Sequence, residues 1–372
     1  MTTPKISDIL GIINKIAPPT LAEEWDNVGL MVGDPAATVS RIMVSLDGTR
    51  DSVEAAIADG CQLLLTHHPF IFHPLKRISS ADPTGSLVLK AAACGLAVIS
   101  LHTNFDVAEG GMNDILAERL EIGNCQPLRV TATEDLVKLA VFVPKGHEEK
   151  VLEALFRFSL NIGSYSDCSF HCAGTGTFRP HDGARPFIGQ VGTREYVEEI
   201  RIEVLLQKRD LSAAVTAMVK AHPYEEPAFD LYPLLNRGVA RGLGRIGELG
   251  AGTTVGEFAA EAKRCLGLSG VRFVGDEGRP VKKVALCGGS GMSLLRDALR
   301  QGADLFVTGD VKYHEARDAE ALGIPLLDVG HFGSEVLMVE SVATRVGSEL
   351  ASRRYDAQVI PFRGEREPFT WR

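Results

Sequence analysis

One stretch of this 372-residue chain decides its fold: Leu63-Leu64-Leu65-Thr66-His67-His68-Pro69. The three consecutive leucines predict a strand that is buried on both faces. Pro69 ends that strand because proline has no N–H to donate to a sheet. Two adjacent histidines therefore stand at the carboxyl end of a buried strand, which is the end where open α/β sheets bind ligands. Paired imidazoles at that position are natural metal ligands.

Length and composition limit the classes of protein to which the chain can belong. At 372 residues it exceeds what one hydrophobic core usually supports, which predicts two or three domains. The net charge of −9 and the lack of a long basic run argue against direct nucleic-acid binding. We expect a cytoplasmic protein without membrane contact, because the start of the chain has no apolar signal core and no apolar run is long enough to span a bilayer. The seven scattered cysteines indicate reduced thiols.

A second buried strand follows the first in the same connectivity. A strand at 41–46 and a helix at 52–58 lead to the strand at 62–66, and a helix at 84–93 leads to a strand at 96–101. That last strand ends in His102-Thr103-Asn104-Phe105-Asp106. Because the connections are parallel, polar groups gather at one carboxyl edge of the sheet.

The last third of the sequence repeats the first. Residues 302–310 match residues 60–68 at a constant offset of 242 positions, with Thr308 matching Thr66 and Asp310 standing opposite His68. The segment 323–335 likewise matches 95–106, and both segments close with a histidine and a carboxylate four positions apart. An internal duplication is the economical interpretation of this pattern.

The duplication predicts seven ionisable side chains at the same edge of one sheet. They are His67, His68, His102, Asp106, Asp310, His331 and Glu335. Without a cation such a cluster would be unfavourable, whereas imidazole and carboxylate together are common ligands of Zn, Mn, Fe and Ni. Two metal ions that share a carboxylate use this set better than one, and such pairs lie about 3.5–4 Å apart. For His102 and Asp310, hydrogen bonding alone or the orientation of a ligand is an equally good interpretation.

The middle of the chain has a different composition and interrupts the duplication. Its pattern of strand, helix and strand, repeated once, predicts an inserted α+β domain of the ferredoxin-like type. We therefore divide the chain into a first half of a metal-binding α/β domain at 1–128, an inserted domain at 129–238, and the second half at 239–372. The glycine-rich segment 237–250 is predicted to be the return linker.

Four ordered motifs resemble those of the NIF-three-like family, whose bacterial members are commonly labelled GTP cyclohydrolase I type 2 homologs. The motifs are Thr66-His67-His68-Pro69, His102-Thr103-Asn104-Phe105-Asp106, Thr308-Gly309-Asp310 with His314, and Gly330-His331-Phe332-Gly333-Ser334-Glu335. The resemblance implies metal ligands at His67, His68, Asp106, His331 and Glu335, with Glu335 bridging two divalent ions. It also implies that the insert, which contains Ala221-His-Pro-Tyr-Glu-Glu-Pro227, is similar to PII-like or CutA-like domains.

The resemblance further implies a metal-dependent hydrolase that opens the imidazole ring of GTP with metal-activated water and releases formate. Protons would then be moved by His102, Asp310 or His314. Family members form toroidal hexamers, so we expect a homohexamer, with a nucleotide or another phosphate-bearing small molecule as substrate. The alternative is a non-catalytic metal-binding or regulatory protein in which the insert senses a ligand. Under either interpretation the duplication predicts that His67 and His331 approach one metal ion, at a bonding distance of about 2.0–2.2 Å.

Three weaker motifs favour structural interpretations. The glycines at 242, 244 and 247 match a dinucleotide-binding pattern, but no apolar strand precedes them. Gly288-Gly-Ser-Gly291 can hold an anion on its amides, although a tight turn between strand and helix is favoured. Cys168-Ser-Phe-His171-Cys172 lacks a fourth ligand for a separate metal site, so packing within a strand is favoured.

Overall fold

The computed structural model describes residues 2–370 and divides the chain into two compact units. The first unit combines the residues up to Thr131 with those from Arg241 onward. The second unit is Ala132–Ala240, close to the predicted insert. No helix in the described part of the chain is long and apolar enough to cross a membrane.

The first half of the first unit alternates strands and helices as predicted. Its elements are α1 (Ile6–Ile16), β1 (Gly29–Val32), β2 (Arg41–Ser45), α2 (Arg50–Ala58), β3 (Leu63–Thr66), α3 (Pro83–Ala93), β4 (Ala97–Ser100), α4 (Thr103–Val107) and α5 (Met112–Arg119). The chain then enters a long strand, β5 (Ile122–Pro144), which runs into the second unit.

The second unit has the predicted order of strands and helices. Its elements after β5 are α6 (Glu148–Phe156), β6 (Ser169–Phe178), β7 (Glu195–Gln207), α7 (Leu211–Ala221) and the start of β8 (Phe229–Thr254). The strands lie in the order β6, β7, β5, β8, and β7 is antiparallel to both β5 and β6. This is the sheet order of a split βαβ sandwich. Helices α6 and α7 bury one face of it through Val151, Leu155 and Met218.

The second half of the first unit follows β8. Its elements are α8 (Val255–Cys265), β9 (Arg272–Val274), β10 (Pro280–Leu286), α9 (Leu295–Arg300), β11 (Leu305–Thr308), α10 (Tyr313–Leu322), β12 (Leu326–Asp328), α11 (His331–Glu335), α12 (Met338–Ser352) and β13 (Gln358–Pro361). Short 3-10 turns lie at Pro19–Leu21, Lys208–Asp210 and Met292–Leu294.

The two halves of the first unit share the topology of four strands and differ at the next one, because β13 is parallel to β2 whereas β8 is antiparallel to β10. In the first half β2, β3 and β4 are parallel neighbours, and β1 pairs antiparallel with the outer edge of β4. In the second half β10, β11 and β12 are parallel neighbours, and β9 pairs antiparallel with β12. Short five-residue helices, α4 and α11, follow the matching strands β4 and β12. The prediction of one sheet is wrong, because β2, β3 and β4 lie in one sheet and β10, β11 and β12 lie in another.

Both central strands are buried on both faces, as the leucine run predicted. Leu63, Leu64 and Leu65 are each fully buried. Leu63 and Leu65 pack into a core that they share with Leu305 and Val307 of β11, whereas Leu64 packs outward against α2 and α3. Since alternate residues of a strand face opposite sides, a sheet covered on both faces requires an unbroken apolar run.

The predicted return linker at 237–250 is instead part of β8. Its glycines permit close approach of another backbone, because a Cβ at Gly242 would lie 1.9 Å from the Arg129 carbonyl oxygen and one at Gly247 would lie 2.4 Å from that of Gly123. The dinucleotide-binding pattern at these glycines is thus accounted for by strand packing.

Candidate metal centre

The carboxyl ends of the strands deliver the candidate ligands. His67 and His68 follow β3, Asp106 lies on α4 after β4, and His331 and Glu335 begin and end α11 after β12. Because the two sheets share one core, ligands more than two hundred residues apart lie in contact. The sequence grouped these residues correctly, although it placed them on one sheet.

The backbone after β3 fixes the two adjacent histidines. The N–H groups of His67 and His68 both donate to the carbonyl oxygen of Leu46, each at 3.0 Å. The Thr66 hydroxyl donates to the carbonyl oxygen of His68 at 2.8 Å. These bonds fix the backbone that carries the two side chains, whose ring centroids lie 5.2 Å apart.

His68, His331 and Glu335 form a compact triangle of potential ligand atoms. Glu335 Oε2 lies 3.0 Å from the Nε2 atoms of both histidines, and those two nitrogens lie 3.2 Å apart. Two atoms that each stand about 2.1 Å from one metal ion at near-octahedral or tetrahedral angles are about 3.0–3.4 Å apart. The triangle therefore has the dimensions of three ligands on one ion.

His67 lies on the other side of Glu335 and is fully buried. Its Nε2 is 3.6 Å from Asp106 Oδ1 and 3.9 Å from Glu335 Oε1. The Nε2 atom of His67 and the Oδ1 atom of Asp106 are buried without a hydrogen-bond partner among the described residues. Buried polar atoms are rarely left unpaired, so this pair fits the ligand set of a cation. The two oxygens of Glu335 thus face different histidines.

Three histidines of the cluster are each held at Nδ1 by a carboxylate. Asp47 lies 2.7 Å from His68, Asp26 lies 2.8 Å from His102, and Asp310 lies 2.6 Å from His331. Carboxylates in this position fix the ring and direct Nε2 toward a metal ion, a common arrangement around metal sites.

The sequence predictions missed Asp26 and Asp47. Asp47 is the second residue after β2, as His68 is after β3, so the same strand-end argument would have found it. Asp26 lies in a loop before β1, where no periodic signal points to it. Its carboxylate also accepts hydrogen bonds from the backbone and hydroxyl of Thr103, which fixes the start of α4.

The protonation of the cluster differs between its two sides. Burial lowers the pKa of His67 to about 3, and burial raises the pKa of Asp106 to about 7. Burial opposes charge at His68, but hydrogen bonds to Asp47 and Glu335 raise its pKa to about 10. The hydrogen bond to Glu335 raises the pKa of His331 to about 9. At neutral pH His68 and His331 are therefore protonated and Asp106 is partly protonated, and bound metal ions would replace these protons.

Glu335 is almost fully buried and interacts with histidines on both sides. Burial alone would raise its pKa, but hydrogen bonds from His331 and His68 hold it well below its ordinary value. Gly289 packs against this carboxylate, since a Cβ at that position would lie 2.2 Å from Oε1. The Glu335 carboxylate therefore stays ionised between the histidines of the two groups.

The structure groups the predicted site residues differently from one of the predictions. His67, His68 and His102 form one group whose ligand atoms all lie within 4.8 Å of one another, and His68, His331 and Glu335 form another. His67 and His331 thus belong to separate groups that share His68. No group of three such ligand atoms among the described residues contains both His67 and His331, so the structure argues against the prediction that they meet at one metal ion.

The three residues predicted to move protons lie in different surroundings. His102 packs against the rings of His67 and His68 and is hydrogen-bonded to Asp26. Asp310 is half exposed and holds His331, with a positive φ of 54° that aspartate tolerates better than most residues. His314 lies exposed on α10, where its ring contacts that of Tyr313. The structure brings His102 and Asp310 to the cluster, and it leaves His314 outside.

The Gly288–Gly291 turn is hydrogen-bonded to residues that neighbour the candidate ligands. The amide of Gly288 donates to Asn113, that of Gly289 to Ser334, and that of Gly291 to Thr308. These three amides are therefore engaged within the protein, which accords with the tight-turn interpretation rather than with an anion site.

A cavity of about 950 Å³ opens on the exposed side of the centre. Its wall includes His68, His331 and Asp310 together with two arginines, Arg272 and Arg366. A volume of this size accommodates a small-molecule ligand. The arginines give it groups that bind carboxylates or phosphates.

The family to which the chain belongs follows from comparison with known proteins. Residues 4–368 match the model of the family described as Duf34/NIF3 (NGG1p interacting factor 3). The chain belongs to the DUF34/NIF3 family. The proteins named "GTP cyclohydrolase 1 type 2 homolog" from Bacillus subtilis and Halalkalibacterium halodurans are 42% and 40% identical to it. Both alignments span 364 residues, covering 98% of this chain and 97% and 98% of the respective relatives. The resemblance inferred from the four motifs is thereby confirmed.

Solved structures of this DUF34/NIF3 family agree with the fold. A Bacillus cereus protein related to NIF3 superposes with a TM-score of 0.94 at 38% identity, over the full length of both chains. The Staphylococcus aureus protein SA1388 superposes with a TM-score of 0.77 at 29% identity, over 100% of this chain and 99% of that one.

Proposed function

We propose that this DUF34/NIF3 protein binds two divalent metal ions on the two sides of Glu335. His68 and His331 would hold one ion with Oε2, and His67 and Asp106 would hold the other with Oε1. The observation that carries the proposal is the shared carboxylate, whose two oxygens face separate histidines, 3.0 Å away on one side and 3.9 Å on the other. His102 stands beside the second position as a further candidate ligand.

We further propose that the centre is hydrolytic and acts on a nucleotide or another phosphate-bearing small molecule. Bound divalent ions lower the pKa of water and polarise a substrate oxygen. The protein itself would bind the anionic part of the substrate through Arg366, which lines the cavity with His331. Arg272, which lines the same cavity, is already hydrogen-bonded to Asp328 and would take a smaller part. Asp310, half exposed at the same wall, is placed to accept a proton while it orients His331. The names of the relatives make GTP the first compound to test.

The experiment combines metal analysis with turnover. The purified protein should contain about two equivalents of Zn, Fe, Mn or Ni, and it should release formate from GTP in a reaction that chelation abolishes. Glu335→Gln keeps the size of the side chain but removes the shared charge, so both metal content and turnover should fall. Full metal content without metal-dependent turnover over a panel of nucleotides would reject the hydrolase. Less than one equivalent in protein never exposed to chelator would reject the dinuclear centre.

A non-catalytic regulatory role is the second candidate, because the inserted unit contains a cavity of its own. In that case ligand binding to the insert, rather than turnover, would depend on metal content. The proposed assembly is a toroidal homohexamer, which the mass of the purified protein in solution tests directly.

A further inference from the structure

A second cavity, of about 370 Å³, lies entirely within the inserted unit. Its wall combines Phe142 of β5 and Phe178 of β6 with Phe187 and Tyr224 from the loops. The ring centroid of Tyr224 lies 5.8 Å from that of Phe178 and 6.4 Å from that of Phe187. The cavity is therefore bounded by contacting aromatic rings and has the volume of a small-ligand site.

A buried carboxylate is part of this aromatic wall. Glu199 of β7 is only 8% exposed, and its Oε1 accepts a hydrogen bond of 3.1 Å from the Tyr224 hydroxyl. A Cβ at Gly176 would lie 2.1 Å from Oε2, so glycine at that position leaves the room that the carboxylate occupies. Among the described residues Glu199 has no salt bridge to a lysine, arginine or histidine within 4.0 Å. A buried carboxylate without a counter-charge is costly, which points to a cation that is supplied from outside.

The segment Ala221-His-Pro-Tyr-Glu-Glu-Pro227 fixes the tyrosine that holds this carboxylate. His222 is buried, and its Nε2 donates to the carbonyl oxygen of Phe142 at 3.0 Å. Its Nδ1 accepts a hydrogen bond from the backbone N–H of Tyr224, also at 3.0 Å. Nε2 thus joins the segment to β5, and Nδ1 fixes the backbone of Tyr224 within the segment. The metal centre uses none of these residues.

The charges around the cavity favour a positively charged occupant. Glu225 and Glu226 line it together with Glu199, whereas Arg179 is the one basic residue among its described lining residues. Arg201, two positions along β7 from Glu199, is paired instead with Glu203 at 3.0 Å. Aromatic rings and carboxylates together form the kind of surface that binds organic cations, because the ring faces and the carboxylates both attract positive charge.

We propose that this cavity of the inserted unit is a binding site for a small organic cation of the alkylammonium class. The aromatic rings contact the alkyl groups and Glu199 supplies the opposite charge. The site depends on residues of the insert alone and is independent of the activity proposed for the metal centre.

The test uses the full-length protein and choline, whose charge does not vary with pH. The uncharged comparison is 3,3-dimethyl-1-butanol, the alcohol in which a carbon atom replaces the quaternary nitrogen of choline. Titration calorimetry should show saturable binding of choline, with dimethylbutanol at least tenfold weaker. Equal binding of the two compounds, or no binding of choline at millimolar concentration, would overturn the proposal.

Matched variants locate the site. Glu199→Gln should weaken choline binding at least tenfold, whereas Glu198→Gln should leave it unchanged, because Glu198 is exposed and paired with Lys145. If Glu199→Gln disturbs the fold of the insert, Phe187→Ala provides a second measurement, since that ring is 52% exposed and its removal creates no core cavity. Phe187→Ala should weaken choline binding several-fold. Wild-type affinity in both Glu199→Gln and Phe187→Ala would place choline elsewhere and reject this site.

Discussion

The two duplicated strand ends of the first unit differ in what they bring to the site. After β3 the second residue beyond the strand is His68, whereas after β11 the matching residue is Asp310. His68 contributes a ring nitrogen to the cluster, while Asp310 holds the ring of His331 from behind. The same scaffold therefore carries a potential ligand in one half and the support of a ligand in the other.

One side of the cluster is buried, whereas the other side opens into the larger cavity. His67 is fully buried with an unpaired Nε2, whereas His331 is about one-third exposed and lines the larger cavity. Duplication of a fold thus fixes where ligands gather, but substitutions at the strand ends decide which position can face a substrate. The following predictions are arranged to test this contrast between the two sides.

The largest effect is expected at the residue that both sides share. Glu335→Gln should reduce bound metal from about two equivalents to below one per chain, because each side loses its common charged oxygen. Glu340→Gln is the matched control, since Glu340 is exposed and pairs with Arg363 at the surface. Elemental analysis of both purified variants provides the measurement. Retention of two equivalents in Glu335→Gln would show that the sides do not depend on this carboxylate.

The next largest effect concerns the core that the two halves share. Leu63 and Leu305 are matching, fully buried leucines of β3 and β11. Replacement of either by alanine should lower the free energy of unfolding by about 2–5 kcal/mol. Leu89→Ala, at an exposed position, should change it by less than about 0.5 kcal/mol.

The same variants show whether the two halves of the first unit unfold together in one cooperative transition or separately. Urea unfolding should be followed by circular dichroism and, in a Trp371→Phe background that leaves Trp25 of the first half as the single tryptophan, by fluorescence. Leu305→Ala should shift the transition seen at Trp25 as much as Leu63→Ala does. If Leu305→Ala left the transition seen at Trp25 unchanged, the two halves would unfold separately.

A smaller effect is expected from changes to the carboxylates that are hydrogen-bonded to Nδ1 of the histidines. Asp47→Asn and Asp310→Asn should each weaken metal binding about 10–100-fold on the open side, because they release the rings of His68 and His331. Asp51→Asn, an exposed change on α2, serves as the control. Competition with a chromogenic chelator measures the affinity. If both variants lowered the affinity for the two metal ions equally, the separation of the centre into two sides would be contradicted.

The smallest effect is the pH dependence of the chelated protein. The raised pKa values of His68 and His331 mean that their contribution to stability is complete below about pH 6.5 and is lost as the pH rises through 9 to 10. The lowered pKa of His67 has the opposite consequence, since stability falls as the pH drops from 6.5 toward 3. The raised pKa of Asp106 opposes this loss between pH 7 and 3.8, so the His67 contribution is measured in an Asp106→Asn background. Unfolding by urea across this range should show that His331→Asn flattens the alkaline limb and His67→Asn the acid limb. If the stability of both variants followed the same pH dependence as the wild type, the assignment of the two limbs to His331 and His67 would be refuted.

Much of the fold follows from sequence patterns in this chain. The unbroken leucine run at β3 and its counterpart at β11 identified buried parallel strands, because only a sheet covered on both faces needs such a run. The composition change after Leu128 indicated the insert. The glycines of β8 were misread as a linker, since close approach of another backbone leaves the same glycine pattern as a flexible loop.

The sequence by itself determined which residues gather at the candidate centre. Strand ends followed by histidine and carboxylate name His67, His68, Asp106, His331 and Glu335, because parallel connectivity sends strand ends to one side. Only the tertiary structure decided how they divide. His68 approaches His331, whereas its neighbour His67 approaches Asp106, and Asp26 reaches His102 from a loop without pattern. Such contacts depend on the packing of two sheets around one core, which local sequence does not encode.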